Sequence, residues 1–245
     1  NKFEIIVISN ALEEENFSNT KMSVDNWYNI REFNDLNAIK FLREKKLDII
    51  FDLMGFTSDN RISLFKSKIA PIQISWLGYC NTSGLDEMNY IFTDQNLILD
   101  DEEKFYTEKV IKFDRIWNAH EGFEIKRNKV KAPAIENKFI TFGSFNNFNK
   151  ISDQTLRVWS EILKNVQNSK LILKSSTRFN LDDFKRKLEV NGILKKIVII
   201  DRNIDFKDHL SQYDNIDLAL DTFPYNGVTT TFEAIWKGVP VLTIN

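Results

Sequence analysis

Residues 221–240 read DTFPYNGVTTTFEAIWKGVP. Three adjacent hydroxyls, Thr229, Thr230 and Thr231, stand between Gly227 and a helix-like run. A helix N-terminus leaves backbone N–H groups without partners and carries the positive end of the helix dipole. Hydroxyls beside those groups can hold the oxygens of a diphosphate, whereas a single Thr is enough for capping. Pro224 stiffens the approach, and Gly227 allows either a close backbone approach or a positive φ. The pattern is neither G-x-G-x-x-G nor a P-loop, so it supports neither a dinucleotide enzyme nor a P-loop NTPase.

Lys150 closes a second polar stretch, NNFNK (146–150), just before a predicted helix start. A cation beside the positive end of a helix is electrostatically out of place unless an anion joins it; the alternative is a solvated loop lysine. Lys174, Ser175, Ser176 and Thr177 follow another predicted strand and read as a polar loop. Asp217 and Asp221 flank a strand and Asp52 lies within one, and residue type assigns them no role. His209 sits on a predicted helix and His120 near a linker; two His and one Cys argue against a zinc site.

Composition bounds the rest. A chain of 245 residues with 42% hydrophobic and 28% charged residues fits one large globular domain or two small ones. A net charge of −2 without a Lys/Arg block gives no sign of nucleic-acid binding. The single cysteine, Cys80, excludes an internal disulfide framework and fits a reducing, cytoplasmic setting. No apolar run approaches a membrane span, and no signal peptide precedes the first strand. Strand-like runs at both ends, FEIIVIS and VPVLTIN, predict a piece of a longer protein.

Elements alternate. Strands are predicted at 3–9, 48–54, 72–78, 89–94 and 108–113. A helix over 35–46 places Leu36, Ile39 and Leu42 on one face, and a short one covers 60–68. The polar segment 121–137 reads as a linker. Strands then fall at 138–145, 170–174, 196–200, 216–221 and 239–244. Helices fall between them at 152–166, 181–190, 205–213 and 230–238, the first capped by Ser152. This alternation predicts an α/β chain of two Rossmann-like domains, 1–120 and 138–245, whose parallel sheets face a cleft. In such sheets ligands bind beyond the carboxyl ends of the strands, where the candidate residues lie.

Three blocks carry a family resemblance. DLMGFTSDNRISLFKSKIAPIQISWLGYCNTSGLDEMNYIFTD resembles the N-terminal catalytic half of glycosyltransferase family 41, the O-linked N-acetylglucosamine transferases and their SPINDLY relatives. FITFGSFNNFNKIS and DTFPYNGVTTTFEAIWKGVPVLT resemble two segments of its C-terminal half. The resemblance runs in order from about residue 48 and leans to the SPINDLY-like branch. It implies a GT-B fold with an acceptor-side first domain and a nucleotide-sugar-binding second one. It also implies metal-independent, inverting transfer to Ser or Thr hydroxyls of a protein, no cofactor besides the donor, and a tetratricopeptide-repeat region upstream. The implied donor is UDP-N-acetylglucosamine, or GDP-fucose as in SPINDLY relatives. The implied roles are Lys150 at the leaving diphosphate, Asn147 near the same phosphates, Thr229 and Thr230 on phosphate, Glu233 at the ribose and His209 near the nucleobase. Phe56 stands where many relatives carry His or Tyr, and Val228 replaces a frequent His or small polar residue. Two rivals are a GT-B transferase acting on a glycan or small molecule, and an inactive nucleotide-binding scaffold.

Overall fold

The computed structural model describes residues 2–12, 18–120, 122–123, 131–174, 180–200 and 205–244. The chain divides into two compact units, Asn1–Ala119 and His120–Asn245. Ser175, Ser176, Thr177 and much of the predicted linker lie outside the described residues.

In the first unit, β1 (Ile6–Ser9) pairs in parallel with β2 (Asn26–Asn29). The β2 sequence, NWYN, sets two strand-forming aromatics between two strand-disfavouring asparagines, and the periodicity predicts no strand there. Helix α1 (Ser18–Met22) lies between them. Helix α2 (Asp35–Glu44) leads to a parallel sheet of β3 (Ile49–Asp52), β4 (Ile72–Ser75), β5 (Tyr90–Asp94) and β6 (Lys109–Phe113), in that spatial order. Asn34 caps α2, its side chain accepting from Asn37 N. The helix buries Ala38 and Leu42, while Leu36 is 79% exposed. Leu42 and Ile39 of the predicted face pack in the core, whereas Leu36, about 200° from Ala38 at 100° per residue, faces solvent. Arg61 fastens the core from outside. It donates to the carbonyls of Ile30 and Phe33 and pairs with Asp35 at 2.8 Å.

In the second unit, α3 (Pro133–Asn137), at the end of the predicted linker, is fixed to the sheet, because Ala134 N donates to Asp217 Oδ1 at 2.8 Å. Five parallel strands follow: β7 (Ile140–Ser144), β8 (Ser169–Lys174), β9 (Ile197–Ile200), β10 (Leu218–Leu220) and β11 (Val241–Leu242). Their spatial order is β11–β10–β7–β8–β9. The connecting helices are α4 (Asp153–Asn165), α5 (Leu181–Val190), α6 (Phe206–Gln212) and α7 (Thr229–Trp236). Strand period decides which side each residue serves. Leu171, Leu173 and Leu220 pack with Leu156, Trp159 and Leu163 of α4 and Phe184 and Leu188 of α5. Ile172 and Ala219 pack on the other side with Leu210 of α6 and Ala234 of α7. This is the Rossmann arrangement, and strand order reverses between β7 and β10. A ligand crevice belongs at the carboxyl ends of these two strands.

Candidate functional site

The segments after β7 and β10 meet at that reversal. After β7 the chain runs through Asn146 and Asn147 into one 3-10 turn, Phe148–Lys150. Phe148 is 1% exposed and stacks near Phe184, which anchors the turn in the core. Asn147 is exposed and caps the turn, its Oδ1 accepting from Asn149 N at 3.0 Å. Lys150 Nζ donates to the Asn226 carbonyl at 3.1 Å and lies 4.4 Å from the centroid of the Tyr225 ring. Lys150 therefore turns away from the start of α4 and toward the loop that precedes α7. The second positive feature it joins is the N-terminus of α7, not that of α4.

The loop after β10 is clasped from the α4 side. The hydroxyls of Ser152 and Thr155 both donate to the Phe223 carbonyl, at 2.7 and 2.9 Å. Ser152 also caps α4 as its sequence predicts. The Phe223–Pro224 peptide is cis. Thr222 Oγ1 reaches forward to the Tyr225 carbonyl at 2.6 Å. Gly227 is needed for close approach rather than for positive φ: a Cβ there would lie 2.5 Å from Thr230 Oγ1 and 2.9 Å from Asn146 Oδ1.

Among the described residues no side chain caps α7. Val228 occupies the cap position, and Thr231 N and Phe232 N both return to its carbonyl at 3.1 Å. The N–H groups of Thr229 and Thr230 therefore head the helix. The three hydroxyls have separate fates. Thr229 is exposed; Thr230 donates to Asn146 Oδ1 at 3.0 Å; Thr231 bonds back to the Gly227 carbonyl at 3.0 Å. Asn146, which residue type did not single out, is 6% exposed and is the residue that joins the β7 loop to α7.

One turn into α7, Glu233 meets His209 of α6. His209 Nε2 and Glu233 Oε2 are 3.0 Å apart, and both side chains are buried. Tyr213 OH donates to the same Oε2 at 2.8 Å. Burial, and then the neighbouring Glu233 charge, push the Tyr213 phenol well above its usual range, so it stays a donor. The neutral tautomer that donates from Nε2 to Glu233 leaves Nδ1 as an acceptor. Nδ1 is buried and has no hydrogen-bond partner among the described residues. At the end of β8, Lys174 has its ammonium pKa lowered by burial, an effect that Glu233 opposes. The site thus presents a cation, a helix N-terminus with hydroxyls and a buried His–Glu pair along one edge of the sheet. Such a set can hold a diphosphate joined to a group with hydrogen-bond donors.

Other candidates make different contacts. His120 stacks on Phe232 at 4.9 Å, and its Nδ1 accepts from Gly122 N. Asp217 accepts from Ala134 N and Thr141 N, a structural use. Asp52 ends β3 and accepts from Met54 N and Gly55 N; burial raises its carboxyl pKa despite these bonds. Phe56 is 52% exposed and packs edge-on against Tyr79. Among the described residues no group of three or more His, Cys, Asp or Glu could hold a metal ion. No helix there is long and apolar enough to cross a membrane.

Residues 15–120 and 124–245 match the sequence pattern of glycosyl transferase family 41. The chain belongs to this family. Among its relatives is the Arabidopsis thaliana SPINDLY protein, described as a probable UDP-N-acetylglucosamine–peptide N-acetylglucosaminyltransferase. It is 34% identical over 223 residues, 89% of this chain and 24% of that protein. The SEC protein of the same plant, described in the same terms, is 27% identical over 84% of this chain and 22% of its own. A mutant of the Thermobaculum terrenum O-GlcNAc transferase superposes with a TM-score of 0.88 at 28% identity, covering 98% of this chain and 46% of that one. The chain thus spans about a quarter of the length of the curated relatives it matches. The parallel α/β units described above are those of a GT-B glycosyltransferase.

Proposed function

We propose that this chain is the catalytic region of an inverting, metal-independent protein O-glycosyltransferase. It moves N-acetylglucosamine from UDP-N-acetylglucosamine to Ser or Thr hydroxyls of an acceptor protein. The observation that carries this reading is the convergence of Lys150 and the α7 N-terminus through Asn226, Gly227 and Asn146, in a chain of family 41.

The acceptor oxygen bonds to the anomeric carbon as the bond from that carbon to the diphosphate oxygen breaks, and the hydroxyl proton passes to the departing diphosphate or to solvent. Negative charge grows on the departing nucleoside diphosphate. Lys150, the N–H groups of Thr229 and Thr230 and the Thr229 hydroxyl stabilise that charge, electrostatic stabilisation being commonly the largest catalytic contribution. His209 and Glu233 hold the nucleoside, with Nδ1 of His209 and the second carboxylate oxygen of Glu233 as acceptors for base and ribose. Asn147, exposed at the mouth, contributes at its rim. Thr231 supports the helix start through Gly227. In the full-length protein a tetratricopeptide-repeat region precedes these units, and the enzyme works in the cytoplasm.

A thermal-shift titration with UDP, GDP, UDP-N-acetylglucosamine and GDP-fucose tests this. A ligand at about 100 times its Kd adds roughly 2.7 kcal/mol to stability. UDP and its sugar should raise the melting temperature by several degrees, and Lys150→Ala should weaken their binding about tenfold or more. A shift with the guanine nucleotides alone would make the enzyme a GDP-fucose-dependent O-fucosyltransferase. No shift with any of the four would overturn the donor site.

A further inference from the structure

One carboxylate stands in this anion-seeking region without a cationic partner among the described residues. Asp221 follows β10 at the strand-order reversal and accepts from five donors. Oδ1 receives Gly227 N at 2.7 Å, Thr222 N at 2.8 Å and, at 3.5 Å, Asn146 Nδ2. Oδ2 receives Thr243 Oγ1 at 2.8 Å and Asn226 Nδ2 at 3.0 Å. Asn226 also donates to Thr243 Oγ1 at 2.8 Å, which closes a ring of bonds over the carboxylate.

A negative charge beside a diphosphate opposes binding unless it is needed for something else. The partners of Asp221 show what that is. Asn226 supplies the carbonyl on which Lys150 rests. Asn146 accepts the Thr230 hydroxyl at the head of α7. Gly227 is wedged between Asn146 and Thr230. Both candidate phosphate-binding features, a lysine from the β7 side and a helix start from the β10 side, are therefore one residue removed from the same carboxylate. Charge-assisted bonds are roughly twice as strong as neutral ones, which suits a carboxylate to holding a loop of this kind.

We propose that Asp221 is the positioning residue of the donor site. It couples Lys150 to the N-terminus of α7 and does not itself touch the donor. This rests on the donor-site reading above and adds a residue through which its two halves act together. Asp221→Asn keeps the shape but sets an N–H₂ group against the donors of Asn226 or Gly227. Lys150 and Thr230 should then lose their register together.

The test is a double-mutant cycle on nucleoside-diphosphate affinity, by calorimetry with UDP and with GDP. It compares wild type, Asp221→Asn, Lys150→Ala and the double variant. Asp221→Asn should weaken binding about tenfold. Lys150→Ala should cost much less on the Asp221→Asn background than in the wild type, because contacts that share a network are non-additive. Wild-type affinity in Asp221→Asn, or two losses that simply multiply, overturns the proposal while leaving the donor site standing. Failure of the wild type to bind either nucleotide removes both. If Asp221→Asn lacks a cooperative melt, Asn226→Ala carries the same cycle. It keeps the carbonyl under Lys150 and removes the side-chain ties to Asp221 and Thr243, and the same non-additivity is expected.

Discussion

At the scale of single residues, the row of threonines divides its labour by geometry rather than by type. Thr230 and Thr231 face inward to Asn146 and Gly227, whereas Thr229 is exposed at the head of an uncapped helix. Uncapped N–H groups normally lower helix stability, so the absence of a cap here is itself a reason to look for an anion. Thr229→Val should leave the unfolding free energy within about 0.5 kcal/mol, as for other exposed positions. The same change should weaken nucleoside-diphosphate binding several-fold. Urea unfolding and calorimetry on the same sample separate the two effects, and equal affinity would remove Thr229 from the site.

At the scale of elements, the site depends on how closely β7 and β10 approach. Gly143 of β7 makes that approach possible: a Cβ there would lie 2.1 Å from Ile216 Cδ1 and 2.7 Å from its Cγ1. Ile216 is 3% exposed and cannot swing into solvent. Gly143→Ala should destabilise the protein by about 1–3 kcal/mol through overpacking. Ile216→Val on that background removes the Cδ1 methyl and should restore part of the loss, read from urea midpoints at constant slope. If the pair is no more stable than Gly143→Ala alone, the contact is not the cause. The same strands lead into Asn146 and Asp221, so their spacing also sets the donor loop.

At the scale of the whole molecule, strand order determines what each sheet leaves bare. In the second unit the order reverses, so helices cover both faces. In the first unit β3 to β6 run in sequence, and right-handed crossovers then place every connection on one side. Leu64, Phe65, Leu85 and Met88 from those connections bury that side. The opposite face, with Phe51, Trp76, Phe92 and Phe113 in mutual edge contact, keeps Ile49 45% and Phe51 42% exposed. Ile49→Thr combined with Phe51→Thr should lower binding of a hydrophobic dye and raise solubility. Its stability cost should be about 2 kcal/mol, since roughly half the burial of two apolar side chains is lost. A loss of several kcal/mol would mean that this face is part of the core.

The sequence by itself determined the family, the parallel α/β class and the element order. These rest on local periodicity and on contiguous motifs, which survive without knowledge of any distant contact. It also marked Lys150, Thr229, Thr230 and Glu233, each within a block that resembles the family, and His209 between two such blocks. It did not show β2, a four-residue run whose two aromatics are flanked by asparagines and which is held by pairing with β1, nor that α2 buries Ala38 in place of Leu36. Above all, it could not show Asn146 and Asp221 as joints. They lie 75 positions apart, and an Asn or Asp after a strand reads as an ordinary turn residue. Only the crossover from β9 back to β10 brings them together, because a strand-order reversal sets two loops, remote in the chain, at the end of one pair of strands.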